Sequence, residues 1–158
     1  MDFGGQVLRA GEHGAAGRMA ADYDIADPDE RTRGVVRVRI ESGSLATTAN
    51  SERRLRVADE NLGYRDMGHI LDPRTGRPAK DFGSITVWAP DAFAADCLST
   101  GLFVMGPDVA LAWAEQREGI EVLVLVQSGD PSKPQLTARM TSGLRDRVTA
   151  LVPDITLQ

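Results

Sequence analysis

The chain has 158 residues, 42% of them hydrophobic and 26% charged, which suits one globular domain with a packed core. Its formal net charge is −5 and its arginines are interspersed with acidic residues, so we expect no nucleic-acid partner, because basic surfaces bind the phosphate backbone. The single cysteine, Cys97, excludes an internal disulfide and a cysteine-rich zinc site, and no apolar run approaches the ~20 residues of a membrane span.

The N-terminal part, residues 1–34, is predicted to be an irregular arm, because its closely spaced glycines destabilise helices and its sequence has little periodicity. We expect an α+β core over residues 35–145 and a single domain over residues 1–158. The first residues show no basic segment followed by an apolar run, so we expect no signal peptide and a cytoplasmic location for the chain as encoded.

A hairpin is predicted at the start of the core. Strict alternation over residues 36–40 indicates a strand with one solvent-facing side, residues 42–44 are predicted to turn, and residues 45–49 to return as its partner. The turn-forming residues of segment 69–78 predict irregular chain, and residues 84–88 predict a strand.

Two consecutive helices are predicted next. Asp91 is a suitable N-cap for the first helix, which residues 106–107 end, and the second helix is predicted from Asp108 to Glu118. The residues that recur at helical spacing in the first helix are Phe93, Cys97, Gly101 and Val104.

Two further strands, over residues 122–126 and 136–140, follow the helices. This order of elements predicts an α+β fold, in which an antiparallel sheet carries both helices on one face.

The first predicted helix contains a candidate metal site. Asp96, Ser99 and Thr100 lie at positions i, i+3 and i+4 and therefore share one helix face. A carboxylate and two hydroxyls are hard oxygen ligands, which suit Mg²⁺ better than Zn²⁺. The alternative is structural, with both hydroxyls bonding back to helix carbonyls, and the spacing alone favours that alternative.

A second candidate is His69, which precedes the rigid turn of residues 69–78. Histidine accepts a proton near neutral pH, and apart from His13 it is the only residue of this type, which makes it the candidate general base. In the alternative interpretation, Asp72 and Thr75 satisfy backbone amides of a turn and His69 has no chemical role.

A third candidate is the pair Gly4 and Gly5. Two glycines allow a ligand to approach the backbone closely, and a plain loop is the alternative.

Taken together, these segments resemble the ApbE family. The resemblance is carried by His-Ile-Leu-Asp-Pro-Arg-Thr-Gly-Arg-Pro over residues 69–78, Ala-Pro-Asp-Ala-Phe-Ala-Ala-Asp over 89–96, and Ser-Thr-Gly-Leu-Phe-Val-Met-Gly-Pro over 99–107. A Phe-Gly-Gly near the start and Ala-Thr-Thr-Ala-Asn over residues 46–50 extend it, so that it runs in the family's order over about residues 2–126.

ApbE proteins are flavin transferases, which move FMN from FAD onto a threonine or serine hydroxyl of a partner protein and release AMP with the help of Mg²⁺. The resemblance therefore implies FAD as substrate, Mg²⁺ as cofactor and an acceptor flavoprotein as partner. It also implies an ApbE-like fold, similar to half of a T-fold.

The resemblance assigns roles to the candidate metal and catalytic residues. Asp96, Ser99 and Thr100 match the family's magnesium ligands. His69 and Asp96 match the segments that supply acid–base or positioning groups, which a weakly nucleophilic hydroxyl requires.

The resemblance also assigns flavin-binding positions. These are Gly4, Gly5, Thr48, His69 and Ile70. The chain departs from the family at residues 48–49, where Thr-Ala stands in place of Ser-Gly and alanine resists a positive φ.

The resemblance covers the C-terminal half of an ApbE protein, without the half that holds most contacts to adenine and ribose. We therefore expect the chain to act with a complementary N-terminal half or as a homo-oligomer. Three functions stay open: a transferase completed in this way, an inactive remnant that holds FAD and metal, and an interaction module. Family members are often periplasmic lipoproteins, whereas these residues contain no export signal.

Overall fold

A six-stranded sheet organises the structure, a computed structural model that describes residues 6–9, 20–50, 54–59, 63–130 and 133–158. Its strands are β1 (Gln6–Arg9), β4 (Gly43–Ala49), β9 (Gly83–Ala89), β10 (Glu121–Asp130), β11 (Lys133–Met140) and β13 (Ile155–Leu157). They are ordered β1-β4-β9-β10-β11-β13, and every neighbouring pair is antiparallel except β11 and β13.

The central strands β9 and β10 are buried on both faces. Residues 122–125 are at most 1% exposed, and Val124 pairs with Ile85, which is also fully buried. A continuous apolar run is the sequence pattern of such a strand, because neither face meets water. The predicted strand over residues 122–126 is confirmed.

Helices α1 (Ala92–Met105) and α2 (Pro107–Ala114) cover one face of this sheet. Asp91 caps α1 as predicted, because its carboxylate accepts a hydrogen bond of 2.9 Å from the backbone N–H of Ala94. Gly106, with a φ of 84°, separates the helices in a conformation that favours glycine. The second helix ends at Ala114, before the predicted Glu118.

The buried face of α1 is formed by residues other than those that recur in the sequence. Phe93 is 77% exposed, and Cys97 and Gly101 are exposed as well. The buried residues of α1 are Ala95, Ser99, Leu102 and Phe103. Small residues in this set let the helix lie close to β4, while the ring of Phe103 stacks on that of Phe82 at 4.6 Å.

A second sheet covers the opposite face of the main sheet. It consists of β2 (Ala21–Ala26), β3 (Gly34–Ile40) and β12 (Val148–Ala150), in the order β12-β3-β2. Val38 and Ile40 form one apolar core with Leu123 and Leu125 of the main sheet. The main sheet is therefore enclosed between helices and a smaller sheet.

The predicted hairpin of residues 36–40 and 45–49 is wrong, because β3 and β4 belong to different sheets. Gly43 has a φ of 92°, and a Cβ there would lie 2.7 Å from Nε1 of Trp88. The same indole nitrogen donates a hydrogen bond of 2.8 Å to the carbonyl oxygen of Ser42. Close packing against β9 thus directs the chain from one sheet to the other.

The irregular arm predicted over residues 1–34 is also corrected, because β1 and β2 lie within it. Strand β2 alternates between exposed Asp22 and Asp24 and inward-facing Tyr23 and Ile25. This alternation is a strand pattern, which the prediction missed because it gave weight to the closely spaced glycines.

Two hairpins connect β4 to β9, and a 3₁₀ helix (Ser142–Arg147) connects β11 to β12. The hairpins are β5 (Arg54–Asp59) with β6 (Gly63–Gly68), and β7 (Leu71–Asp72) with β8 (Arg77–Pro78). Within the described ranges, no helix combines the length and apolar character that crossing a membrane requires. The predicted α+β class, with both helices on one sheet face, is confirmed.

Candidate functional site

Three side-chain hydroxyls meet where α1 packs on β4. Thr48 Oγ1 lies 2.8 Å from Ser99 Oγ and 3.5 Å from Thr100 Oγ1. We refer to Thr48, Ser99 and Thr100 as the hydroxyl cluster. The structure thus joins a predicted flavin-binding residue to two predicted metal-binding residues that are about 50 positions away in the chain.

The direction of the hydrogen bonds in the hydroxyl cluster follows from counting hydrogens. Ser99 Oγ donates its single hydrogen to the backbone carbonyl of Asp96 at 2.9 Å. Thr48 must therefore donate in the bond that it shares with Ser99, and its own oxygen keeps lone pairs free to accept. Ser99 is fully buried, so it holds Thr48 in place from beneath.

Asp96 and Thr100 lie one turn apart on α1, and both are exposed. The backbone carbonyl of Asp96 accepts the hydrogen bond from Ser99, while its carboxylate faces solvent. This carboxylate is available to a ligand.

His69 lies in a pocket of about 430 Å³ next to the hydroxyl cluster. The pocket is lined by Thr47, Thr48, Ala49, His69, Ile70, Leu71 and Thr100. The Nδ1 atom of His69 is buried and has no hydrogen-bond partner among the described residues. A buried polar atom without a partner is costly, so a ligand or water that bonds Nδ1 would be stabilised there.

Asn50, which was not among the predicted site residues, supports the backbone beside His69. It is 2% exposed and follows β4 directly. A Cβ at Gly68 would overlap with Oδ1 of Asn50, so the amide fills the space that a side chain at position 68 would need. The signal in the sequence was its place at the end of the Ala-Thr-Thr-Ala-Asn segment.

The turn after His69 is closed by its own hydrogen bonds. The backbone N–H of Ala79 donates to the carbonyl of Ile70 at 2.8 Å, which brings the two ends of the turn together. Asp72 accepts from the Arg74 backbone N–H and from Nε, each at 2.9 Å. The guanidinium of Arg74 holds the pKa of the Asp72 carboxyl below its usual value of 3.8.

The oxygen donors of α1 fit Mg²⁺ in type. Asp96 supplies a carboxylate and Thr100 a hydroxyl, and Mg²⁺ prefers such ligands and retains several waters. In the part of the chain that the structure describes, no cluster of three or more His, Cys, Asp or Glu side chains occurs. An ion held here would therefore take its remaining ligands from water or from substrate phosphates.

The predicted site residues are thus largely brought together. Thr48, His69, Ile70 and Thr100 line one pocket, and Asp96 and Ser99 lie beside it on α1. Gly4 and Gly5 lie outside the described residues. The strand that follows them pairs with β4, where Gln6 lies opposite Ala46.

Comparison with known proteins identifies the family. The model of the ApbE family matches residues 1–124. The chain belongs to the ApbE family. The FAD:protein FMN transferase of Escherichia coli (strain K12) is 35% identical over 121 residues, which are 76% of this chain and 33% of that protein. The FAD:protein FMN transferase of Treponema pallidum (strain Nichols) is 31% identical, over 96% of this chain and 41% of that protein.

Solved ApbE structures share the fold. The flavin transferase ApbE from Vibrio cholerae has a TM-score of 0.61 and 28% identity, over 92% of this chain and 43% of that one. The ApbE protein from Thermotoga maritima has a TM-score of 0.59 and 26% identity, over 81% of this chain and 38% of that one. The chain therefore spans between 33% and 43% of the length of these four ApbE proteins.

Proposed function

We propose that the chain takes part in ApbE-type flavin transfer, in which FMN moves from FAD to a threonine or serine hydroxyl of an acceptor protein. The observation that carries the proposal is the pocket that His69 shares with Thr48 and Thr100. This pocket combines a proton acceptor with hydroxyl oxygens, next to an exposed carboxylate on the same helix.

His69 acts as the base or positioning group for the acceptor hydroxyl. The hydroxyl oxygen bonds to the FMN phosphorus of FAD, the bond from that phosphorus to the bridging oxygen breaks, and AMP leaves with that oxygen. The hydroxyl proton goes to the imidazole, because a neutral hydroxyl is a weak nucleophile and needs a base within hydrogen-bonding reach.

Asp96 and Thr100 would hold Mg²⁺, and Ser99 positions the other groups. A bound Mg²⁺ would neutralise negative charge on the pyrophosphate as AMP departs. Ser99, which the sequence predicted as a third metal ligand, is fully buried and its oxygen accepts from Thr48, so its contribution is instead to fix Thr48 and the helix backbone. Thr48 and the backbone of Ile70 contact the flavin, and Gly4 and Gly5 are assigned to the same role.

The chain acts with further polypeptide, because it spans only 33% to 41% of the transferases of Escherichia coli and Treponema pallidum. This additional polypeptide is a complementary N-terminal half or a second copy of the chain. The same observation favours a second candidate function, an FAD- and metal-binding subunit that does not turn over alone. A single exposed carboxylate on α1 also favours weak rather than tight metal binding by the isolated chain.

Calorimetric titration of FAD, with and without Mg²⁺, tests the proposal. We expect binding near micromolar, about −8 kcal/mol, that requires Mg²⁺. Asp96→Ala should remove this Mg²⁺-dependent binding without unfolding the chain, whereas Asp146→Ala, which removes an exposed carboxylate of the 3₁₀ helix, should preserve it. An unchanged Mg²⁺ dependence in Asp96→Ala would contradict the metal assignment.

Transfer itself separates the two candidate functions. An acceptor protein that becomes covalently flavinylated by the chain, alone or with its complement, supports the transferase. Mg²⁺-dependent binding of FAD without transfer under either condition supports the binding subunit.

A further inference from the structure

The second sheet is narrower than the sheet that it covers, and an open cleft remains at one side. Leu45, Thr47 and Ala49 of β4 line this cleft with Ser84 of β9, and residues 22–28 line the other side. Its volume is about 490 Å³. It is separated from the His69 pocket by β4, because Thr48 faces α1 while Thr47 Oγ1 lies 2.9 Å from Thr86 Oγ1.

The two walls of the cleft are of different kinds. Every second residue of β4, at positions 45, 47 and 49, lines the cleft, so one face of the main sheet forms this wall. Residues 22–28 line the cleft consecutively, and a strand can expose consecutive residues to one space only along its edge. Strand β2 is the last strand of its sheet and, among the described strands, pairs only with β3. Its backbone edge therefore faces the cleft.

Ser84 supplies an independent sign that the cleft receives a ligand. It is 2% exposed, and its Oγ is buried without a hydrogen-bond partner among the described residues. The neighbouring hydroxyls of Thr47 and Thr86 bond each other, which leaves Ser84 as the unsatisfied group of this wall. A polar group that entered the cleft would satisfy it.

We propose that an extended segment of a complementary ApbE polypeptide adds to β2 as a fourth strand and covers the β4 wall of the cleft. This inference rests on the proposed function, since it identifies where the additional polypeptide docks. Strand addition pairs the open backbone groups of β2 and brings a polar group of the segment to Ser84.

A complementary polypeptide fits this edge better than a second copy of the chain. Antiparallel pairing of two β2 strands would place Asp22 and Asp24 of one copy near those of the other, a repulsion that their ion pairs with Arg39 and Arg37 reduce but do not remove. The relatives also contain polypeptide outside the matched region, which is 41% of the Treponema pallidum protein.

The test uses the region of the Treponema pallidum relative outside its match to this chain, expressed as a separate polypeptide. We expect it to bind and to slow hydrogen exchange of the β2 amides. Ala26→Trp, which fills the cleft, should weaken binding about tenfold or more, whereas Ala150→Trp on β12, the opposite edge of the same sheet, should leave it unchanged.

Ser84→Ala should weaken binding without lowering the melting temperature of the free chain, because it removes an unsatisfied hydroxyl.

Absence of binding, protection elsewhere than β2, or equal effects of the two tryptophan variants would overturn the docking site. Self-association that Ala26→Trp abolishes would assign the edge to a second copy, and a small molecule that alone satisfies Ser84 would assign it to a ligand; both also overturn the proposal. His69→Ala distinguishes this inference from the proposed function. It should abolish transfer and leave β2 protection intact. Transfer that survives in this variant would contradict the role of His69, whereas loss of β2 protection would contradict the docking site.

Discussion

Thr48 is the residue at which the strand and the helix of the site depend on each other. Its hydrogen is donated to Ser99, and its lone pairs remain toward the pocket, which also contains Thr100. Thr48 therefore offers an acceptor to a donor or a cation, while Ser99 is held between Thr48 and the Asp96 carbonyl.

Replacing the Thr48 hydroxyl should affect both stability and binding. We expect Thr48→Val to lower the free energy of unfolding by about 1 kcal/mol, because Ser99 loses its donor in a buried position. It should also weaken Mg²⁺-dependent FAD binding about tenfold, a loss of about 1.4 kcal/mol. Urea denaturation and calorimetry measure the two effects, and Thr48→Ser serves as control because it keeps the hydroxyl. Wild-type affinity in Thr48→Val would exclude a ligand contact.

The charge of Asp72 should stabilise the turn after His69 in a pH-dependent way. Hydrogen bonds from the Arg74 side chain lower the pKa of Asp72 below 3.8, so the charged form is favoured in the folded state. Its contribution is present above pH 3.8 and is lost as the pH falls through the lower pKa of the folded state.

Asp72→Asn isolates this charge, because the amide oxygen can still accept from the Arg74 backbone N–H. We expect the variant to melt at a lower temperature than the wild type at neutral pH, and the difference to close below pH 3.8. Melting curves across this range measure it, with Asp146→Asn as control. A difference that does not change with pH would assign the effect to shape rather than charge.

Among the elements, β4 and β6 are joined through Asn50 and Gly68, immediately before His69 begins the pocket segment. The Asn50 amide occupies the position where a side chain at residue 68 would lie. Any substitution at Gly68 must therefore displace either Asn50 or the backbone that carries His69.

A double-mutant cycle tests this contact. We expect Gly68→Ala to reduce FAD affinity and to cost about 1–3 kcal/mol of stability, because overpacking forces the backbone to shift. Asn50→Ala opens space, so the double variant should recover part of the loss, and the two effects should be non-additive. Measurement of unfolding free energies for the four proteins gives the coupling, and strictly additive losses would mean that the two residues act separately.

At the scale of the whole molecule, Phe103 connects the helix layer to the segment that follows the pocket. It is 1% exposed, stacks on Phe82, and shares an apolar cluster with Ile70. We expect Phe103→Ala to cost about 3–5 kcal/mol of stability in urea denaturation. Val109→Ala, at a half-exposed position of α2, should cost about 0.5 kcal/mol or less. Similar losses in both variants would show that the core does not depend on this ring.

The sequence allowed prediction of those elements whose pattern is local. Asp91 identified the start of α1, and the apolar run of residues 122–126 identified a strand buried on both faces. The β3–β4 hairpin failed because β3 pairs with the preceding strand β2, and β4 pairs with β9, which lies far along the chain. Pairing at that distance leaves no mark in the spacing of nearby residues.

The site was predicted in the same uneven way. The motifs led to His69 and to the residues of α1, because their order along the chain follows the family, and their roles stay a prediction. Asn50 was missed because its role depends on a glycine 18 positions away, and its exact fit is visible only when β6 is in place. The buried face of α1 was missed because Ala95 and Ser99 carry little hydrophobic signal, while the strongly apolar Phe93 lies on the exposed face.

Strand β4 alone separates the cleft from the His69 pocket. Thr47 and Thr48 are neighbours in the chain, yet one belongs to the wall of the inter-sheet cleft and the other to the hydroxyl cluster. A ligand that fixes the backbone on either side reduces the freedom of the same peptide groups on the other. Such an effect would link occupancy of the two sides thermodynamically: a partner strand that tightened binding in the His69 pocket would itself be bound more tightly, by the same factor, when that pocket is occupied.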